Sequence, residues 1–119
     1  MNNFELLINK KATLIEALEK LNRIKNYIDL TLFVHDENKR IVGSVTDGDL
    51  RRSLIKNKNF NLQIGDICNK NFSYLIDSDD YQDLDKFKSK NIKLLPILNK
   101  NHLLKEVLDL NKTKSILPL

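Results

Sequence analysis

The chain has 119 residues, 41% hydrophobic and 30% charged, with a net charge of +4. That length suits one compact domain or two small subdomains sharing a core, and that composition excludes a chain too polar to fold. The lysines are scattered among asparagines and acids rather than gathered on a stripe, which argues against a nucleic-acid partner.

No apolar run approaches the roughly 20 residues of a membrane span, so no membrane partner is expected. "MNNFELLINKK" has no signal-peptide layout, and the expected location is cytoplasmic. A single cysteine, Cys68, allows no internal disulfide and reads as a buried or half-buried small hydrophobe.

Residues 4–8, "FELLI", read as a strand. In "ATLIEALEKLNRIK" Leu14, Ile15, Leu18, Leu21 and Ile24 recur at helical spacing, and Thr13 with Glu16 forms a capping-box pattern. Leu30–Val34 and Arg40–Val45 are β-rich runs joined by the polar turn "HDENK", which predicts a hairpin. "DGDLRRSLIKN" predicts a second helix with Leu50, Leu54 and Ile55 on one face.

After the linker "NKNFNLQIGDICNKN" the order returns. A strand at 72–76 precedes a helix, "DSDDYQDLDKFKSKN", with Tyr81, Leu84 and Phe87 inward. A strand–turn–strand follows over 92–108, and "DLNKTKSIL" predicts a short final helix. The chain therefore reads as one strand–helix–hairpin–helix pattern used twice. A unit of about 55–60 residues buries little surface alone, so two copies sharing a core are expected.

The stretch "GSVTDGDLRR", Gly43–Arg52, holds the most chemistry. A helix beginning near Asp47 offers free backbone N–H groups to an anion. Thr46 and Asp49, three apart, project near the same helix mouth. Ionised Asp49 repels phosphate but can accept two hydroxyl protons from a ribose. Arg51 and Arg52 carry the wrong sign for a helix start unless they neutralise a phosphate. Gly48 removes a Cβ where a ligand would approach. Other readings stay open. Thr46 with Asp49 is also close to a capping box, Asp47 alone could cap, the arginines could be solvated or pair with acids of a partner, and the anion need not be a nucleotide. A mouth filled by its own side chains, with both arginines locked in internal ion pairs, would leave only a scaffold.

"IVGSVTDGDLRR", "IGDICNKN" and "KLLPIL" together resemble a tandem pair of CBS domains, a Bateman module, over nearly the whole chain. The resemblance implies a mixed α/β (α+β) fold of two β-α-β-β-α repeats, residues 1–61 and 62–119, packed with pseudo-two-fold symmetry. It implies that Thr46 and Asp49 hold the ribose of AMP, ADP, ATP or a related adenosine compound. Backbone around Thr31–Leu32 and Ser44–Val45 would then form the base slot, and Thr31, Leu32, Ser44, Val45, Thr46, Asp47, Asp49, Arg51 and Arg52 make up the expected ligand site. It also implies a homodimer. "VTDGDLRR" is similar to CBS pairs that precede sugar-phosphate nucleotidyltransferase domains, so an attached catalytic domain of that kind is expected beyond "SILPL".

Aligning the two hairpins puts Leu108 at the position of Thr46, Asn111 at that of Asp49 and Lys105 at that of Gly43. Leucine cannot hydrogen-bond, so one ligand site per chain, or none, is expected. His35 and His102 read as solvent-facing turn residues. "DSDDYQDLD", 77–85, fails the calcium-loop pattern at Tyr81 and Gln82 and reads as acids gathered at a helix start. No P-loop, Gly-rich dinucleotide motif or nucleophile elbow occurs, so these residues are not expected to be an enzyme, and neither a metal nor a required cofactor is expected. Two readings follow: a nucleotide-sensing regulatory module, or a structural dimerisation module with a vestigial site.

Overall fold

The computed structural model describes residues 3–24, 30–78, 84–90 and 92–110. Two compact units divide the chain, Met1–Phe72 and Ser73–Leu119. Each holds a three-stranded sheet with helices, so the fold is mixed α/β with the β-α-β-β order in both units.

In the first unit, residues 4–8 do not form one strand. Asn3–Leu6 turn as a 3-10 helix, and only Leu7–Asn9 (β1) extend, pairing in parallel with Phe33–His35. Leu6 and Ile8 are buried on either side of that change.

Helix α1, Leu14–Arg23, starts where the capping box places it. The Thr13 hydroxyl accepts from the Glu16 N–H at 3.3 Å, and the Glu16 carboxylate accepts from the Thr13 N–H at 2.9 Å. Leu14, Ala17 and Leu21 are the buried face, whereas Ile15 is 37% exposed and Ile24 is the C-cap. The spacing 14, 17, 21 defines that face, and small Ala17 lets the helix lie close, which the bulkier Ile15 obscured. The cap's backbone and side-chain bonds to Thr13 hold the Glu16 carboxyl below its ordinary value of 4.5. A depressed acid contributes stability above that value and loses it as pH falls through the folded one. Acidification below about pH 4.5 is therefore expected to fray the start of α1, seen as earlier hydrogen exchange at the amides of residues 16–17. A Glu16→Gln chain should lose this pH response, and an equal response in both chains would refute the cap's role.

Strands Thr31–His35 (β2) and Ile41–Thr46 (β3) form the antiparallel hairpin, with Thr31 opposite Thr46, Leu32 opposite Val45 and Phe33 opposite Ser44. His35 is not a solvent-facing turn residue: it lies within β2, 6% exposed, with Nδ1 2.8 Å from the Asp36 carbonyl oxygen. The turn starts one residue later. Asp36 N donates to Arg40 O, and the Asp36 carboxylate accepts from the N–H groups of Asn38 and Arg40. A register shift at Val34/His35 and the Lys10 N–H to His35 O bond (2.8 Å) keep the imidazole inside the sheet.

Helix α2, Asp47–Asn57, follows β3 without a loop. Leu50 is its fully buried residue, Leu54 is half-buried, and Ile55 is 74% exposed rather than inward. Ile55 lies about 100° round the helix from Leu54 and so turns out of the core face.

The linker packs onto the first unit. It contains a short helix, Ile64–Ile67 (α3), with Ile64 fully buried. Leu14 N donates to Leu62 O, Ile64 N to Ala12 O and Gly65 N to Lys10 O. Asn69 then pairs with the free edge of β3: Ser44 N to Asn69 O at 3.0 Å and Asn69 N to Ser44 O at 2.7 Å. This covers an edge that would otherwise offer its ladder to another chain. Gly43 makes the approach possible, because a Cβ there would lie 2.6 Å from Cys68 Sγ and 3.0 Å from Asn69 O. Cys68 is half-buried, and burial raises its thiol above the ordinary range.

In the second unit, Leu75–Ile76 (β4) run parallel to Leu94–Leu98 (β5), and β5 is antiparallel to Leu104–Asp109 (β6). The strand expected at 72–76 is thus only two residues long. It pairs with Ile97 and Leu98, and Pro96, with no N–H to give, stands where that ladder stops. Within 84–90 a helix, α4, spans Asp85–Ser89, with Leu84 partly buried and Phe87 buried. Leu75, Phe87, Leu95, Ile97 and Leu110 form the core, and Leu84, Ile92 and Leu108 pack against it. His102 does sit in the hairpin turn, at φ 66°, but it is half-buried and its ring meets Tyr74 edge-on at 5.2 Å. The inward Tyr81, Asn111 and most of the final helix expected from "DLNKTKSIL" lie outside the described residues. Among the described residues, no helix is long and apolar enough to cross a membrane.

Candidate functional site at the strand–helix junction

The end of β3 and the start of α2 form the junction that the sequence singled out. Thr46 is the N-cap, with φ −98° and ψ 165°. Its hydroxyl accepts from the Asp49 N–H at 3.1 Å, and Asp49 Oδ2 accepts from the Thr46 N–H at 3.0 Å. The shorter aspartate therefore completes a capping box usually built with Glu or Gln.

Side chains directly opposite across an antiparallel pair share a face. Thr31 and Thr46 lie together on one face, as do Phe33 and Ser44. Leu32 and Val45 point to the other face and are fully buried. Thr31, Ser44, Thr46 and Asp49 are each half-buried, so one polar, accessible strip runs from the hairpin to the helix mouth. The backbone N–H and C=O of Ser44 are engaged by Asn69, which leaves Ser44 its hydroxyl to offer. The sequence reading missed Asn69. Its only signal was the unexplained glycine at 43, a sign that other backbone comes close.

The arginines separate. Arg52 Nη2 donates to Asp49 Oδ1 at 2.7 Å, and Arg51 Nη2 lies 3.0 Å from Asp47 Oδ2. The Asp47–Arg51 and Asp49–Arg52 pairs lie on opposite flanks of α2. Asp47 and Arg51 line a cleft of about 310 Å³ with Leu18, Leu21, Asn22 and Leu30, on the side of α1. Thus the structure brings Thr31, Ser44, Thr46, Asp49 and Arg52 towards one strip and turns Asp47 and Arg51 away from it.

These ion pairs are the arrangement that the sequence reading associated with a scaffold. Magnitudes decide how far that goes. The arginine side chains are 72% and 73% exposed. Such surface pairs contribute about 0–1 kcal/mol, whereas a hydrogen bond to a charged ligand group is worth about 1.5–3 kcal/mol. A phosphate can therefore displace an acid from either guanidinium. Each Asp49 oxygen also keeps a second lone pair beyond the bond it accepts.

The second unit repeats the geometry with different chemistry. Matched on their bulges and turns, the hairpins put Leu94 opposite Asp109 where Thr31 stands opposite Thr46, and Val107 where Ser44 stands, so the alignment expected from the sequence, with Leu108 at Thr46, is one residue off. Leu95 and Leu108 instead match the inward pair Leu32 and Val45: Leu95 is fully buried, and Leu108 packs against the core cluster. Among the described residues, no group of three His, Cys, Asp or Glu side chains could hold a metal ion.

Comparison with known proteins agrees with the fold. The family model "CBS domain" matches residues 1–56. No curated protein matches the chain. Among solved structures, the CBS domains of a transcriptional regulator from Streptococcus pneumoniae share 15% identity at a TM-score of 0.73, with 92% of this chain and 85% of that one covered. CBSX2 in complex with AMP shares 22% identity at a TM-score of 0.71, covering 92% and 87%. The cytosolic domain of the Mg2+ channel MgtE in complex with ATP shares 18% at a TM-score of 0.77, covering 93% of this chain and 44% of that one, so the chain spans less than half of it. Residues 1–56 match the CBS domain family, and the fold across both units is that of CBS-domain structures, which together support a CBS module.

Proposed function

We propose that the chain is a regulatory module that binds an adenosine nucleotide at the strand–helix junction of its first unit. The ribose diol bonds to Asp49 beside Thr46, the base lies along the backbone around Thr31–Leu32 and Ser44–Val45, and Arg52 meets the phosphate. The observation that carries this reading is the half-buried carboxylate of Asp49 at a helix mouth, in line with the polar strip of Thr46, Ser44 and Thr31. Structures of the same fold with AMP and with ATP support the ligand class. In the second unit Leu94 and Val107 stand where the first has Thr31 and Ser44, which supports one site per chain.

Further parts of the proposal rest on sequence resemblance: repeats at 1–61 and 62–119, a homodimer, a cytoplasmic setting, and control of an attached sugar-phosphate nucleotidyltransferase. A second reading, a dimerisation scaffold with a vestigial site, is favoured by the closed capping box and the two arginine ion pairs.

Thermal melting with AMP, ADP, ATP, S-adenosylmethionine and CDP- or GDP-sugars separates the two. A ligand at 100 times its Kd adds about 2.7 kcal/mol, so an adenosine nucleotide should raise the Tm by several degrees. No shift with any of them would leave the scaffold.

A further inference from the structure

We propose that Arg52 is an autoinhibitory clasp on Asp49, which makes the junction select nucleotides over nucleosides; this rests on reading Asp49 as the ribose-binding carboxylate. Asp49 holds the Thr46 N–H on Oδ2 at 3.0 Å and the Arg52 guanidinium on Oδ1 at 2.7 Å. The first bond belongs to the helix cap and stays. A vicinal diol brings two O–H donors, and the guanidinium already standing on Oδ1 competes with one of them for room at that oxygen.

Gly48 gives the clasp room. Arg52 folds back over its bare face, so that a Cβ there would stand 3.2 Å from Nη1 and 3.6 Å from Nη2. At 73% exposure the clasp is weak enough to open.

What opens it decides the selectivity. A nucleotide offers the released guanidinium a phosphate, an anionic partner of matching fork geometry. A nucleoside takes Asp49 and returns nothing. Arg51 cannot substitute, because it faces the other flank with Asp47. Arg52 therefore penalises bare nucleosides and favours phosphorylated ones through a single side chain.

The test is calorimetry of AMP and of adenosine on the full chain and on Arg52→Ala, each at low and high salt. Arg52→Ala should bind adenosine about two- to fivefold more tightly, having lost the competitor, and AMP about tenfold more weakly. Added salt should strengthen adenosine binding by the native chain, by screening the clasp, and leave the variant flat. If AMP binds the native chain but Arg52→Ala leaves adenosine affinity unchanged or weaker, the clasp is overturned and the ribose reading stands. If neither compound binds either chain, the ribose reading fails and the clasp falls with it.

Discussion

An Asp49→Ala chain is expected to bind AMP at least about tenfold more weakly than the native chain. Two losses combine. The ribose loses its only carboxylate acceptor at the junction, where a charge-assisted hydrogen bond is worth about 1.5–3 kcal/mol. The Thr46 N–H also loses its acceptor on Oδ2, which loosens the first turn of α2 by about 1 kcal/mol. Asp49→Asn separates the two, since its amide oxygen still accepts from Thr46 while the charge is gone. Calorimetry should place Asn between native and Ala. Unchanged affinity in Asp49→Ala would remove Asp49 from the site.

Leu50→Ala is expected to cost about 2–5 kcal/mol, measured by denaturant unfolding. Leu50 is fully buried and is the buried residue that anchors α2 to its unit. Leu54 beside it is only half-buried and Ile55 is exposed, so neither can replace the anchor. Against a total stability of about 5–15 kcal/mol this is a large share. Because α2 carries Asp49 and Arg52, the same variant should bind AMP more weakly. A cost under about 1 kcal/mol would show that α2 is held by something other than this side chain.

The features legible in the sequence are those set by local rules. Thr13 with Glu16 and Thr46 with Asp49 announced both helix starts, because a capping box needs only four consecutive residues. Both hairpins were legible, but the alignment that put Leu108 at the place of Thr46 is one residue off: the turns match Asp36–Arg40 to Asn99–Leu103, and the observed register puts Asp109 there. The arginine partners were legible too. Asp47–Arg51 and Asp49–Arg52 are i,i+4 and i,i+3 pairs that meet on any helix surface, the internal pairing named in advance as the mark of a scaffold.

What escaped was decided by contacts distant in sequence. His35 looked like part of a polar turn until its pairing with β1 and a bulge drew it inside. The linker carried the phrase "IGDICNKN" but no sign of its contact with Gly43: Cys68 and Asn69 close over β3 some 25 residues away, a contact no local pattern encodes. Ile15 and Ile55 are apolar residues on helix faces that the core does not need, and hydrophobicity alone could not tell them from Ala17 and Leu50.

The most direct test of the junction as a ligand site is a two-dimensional amide NMR titration of the full chain with AMP. The account predicts saturable shifts at Thr31, Thr46, Gly48, Asp49 and Arg52, with little change at Leu94 and Val107, which hold the matching places in the second unit. Saturation with those first five amides unmoved, or the largest shifts at Leu94 and Val107, would contradict it.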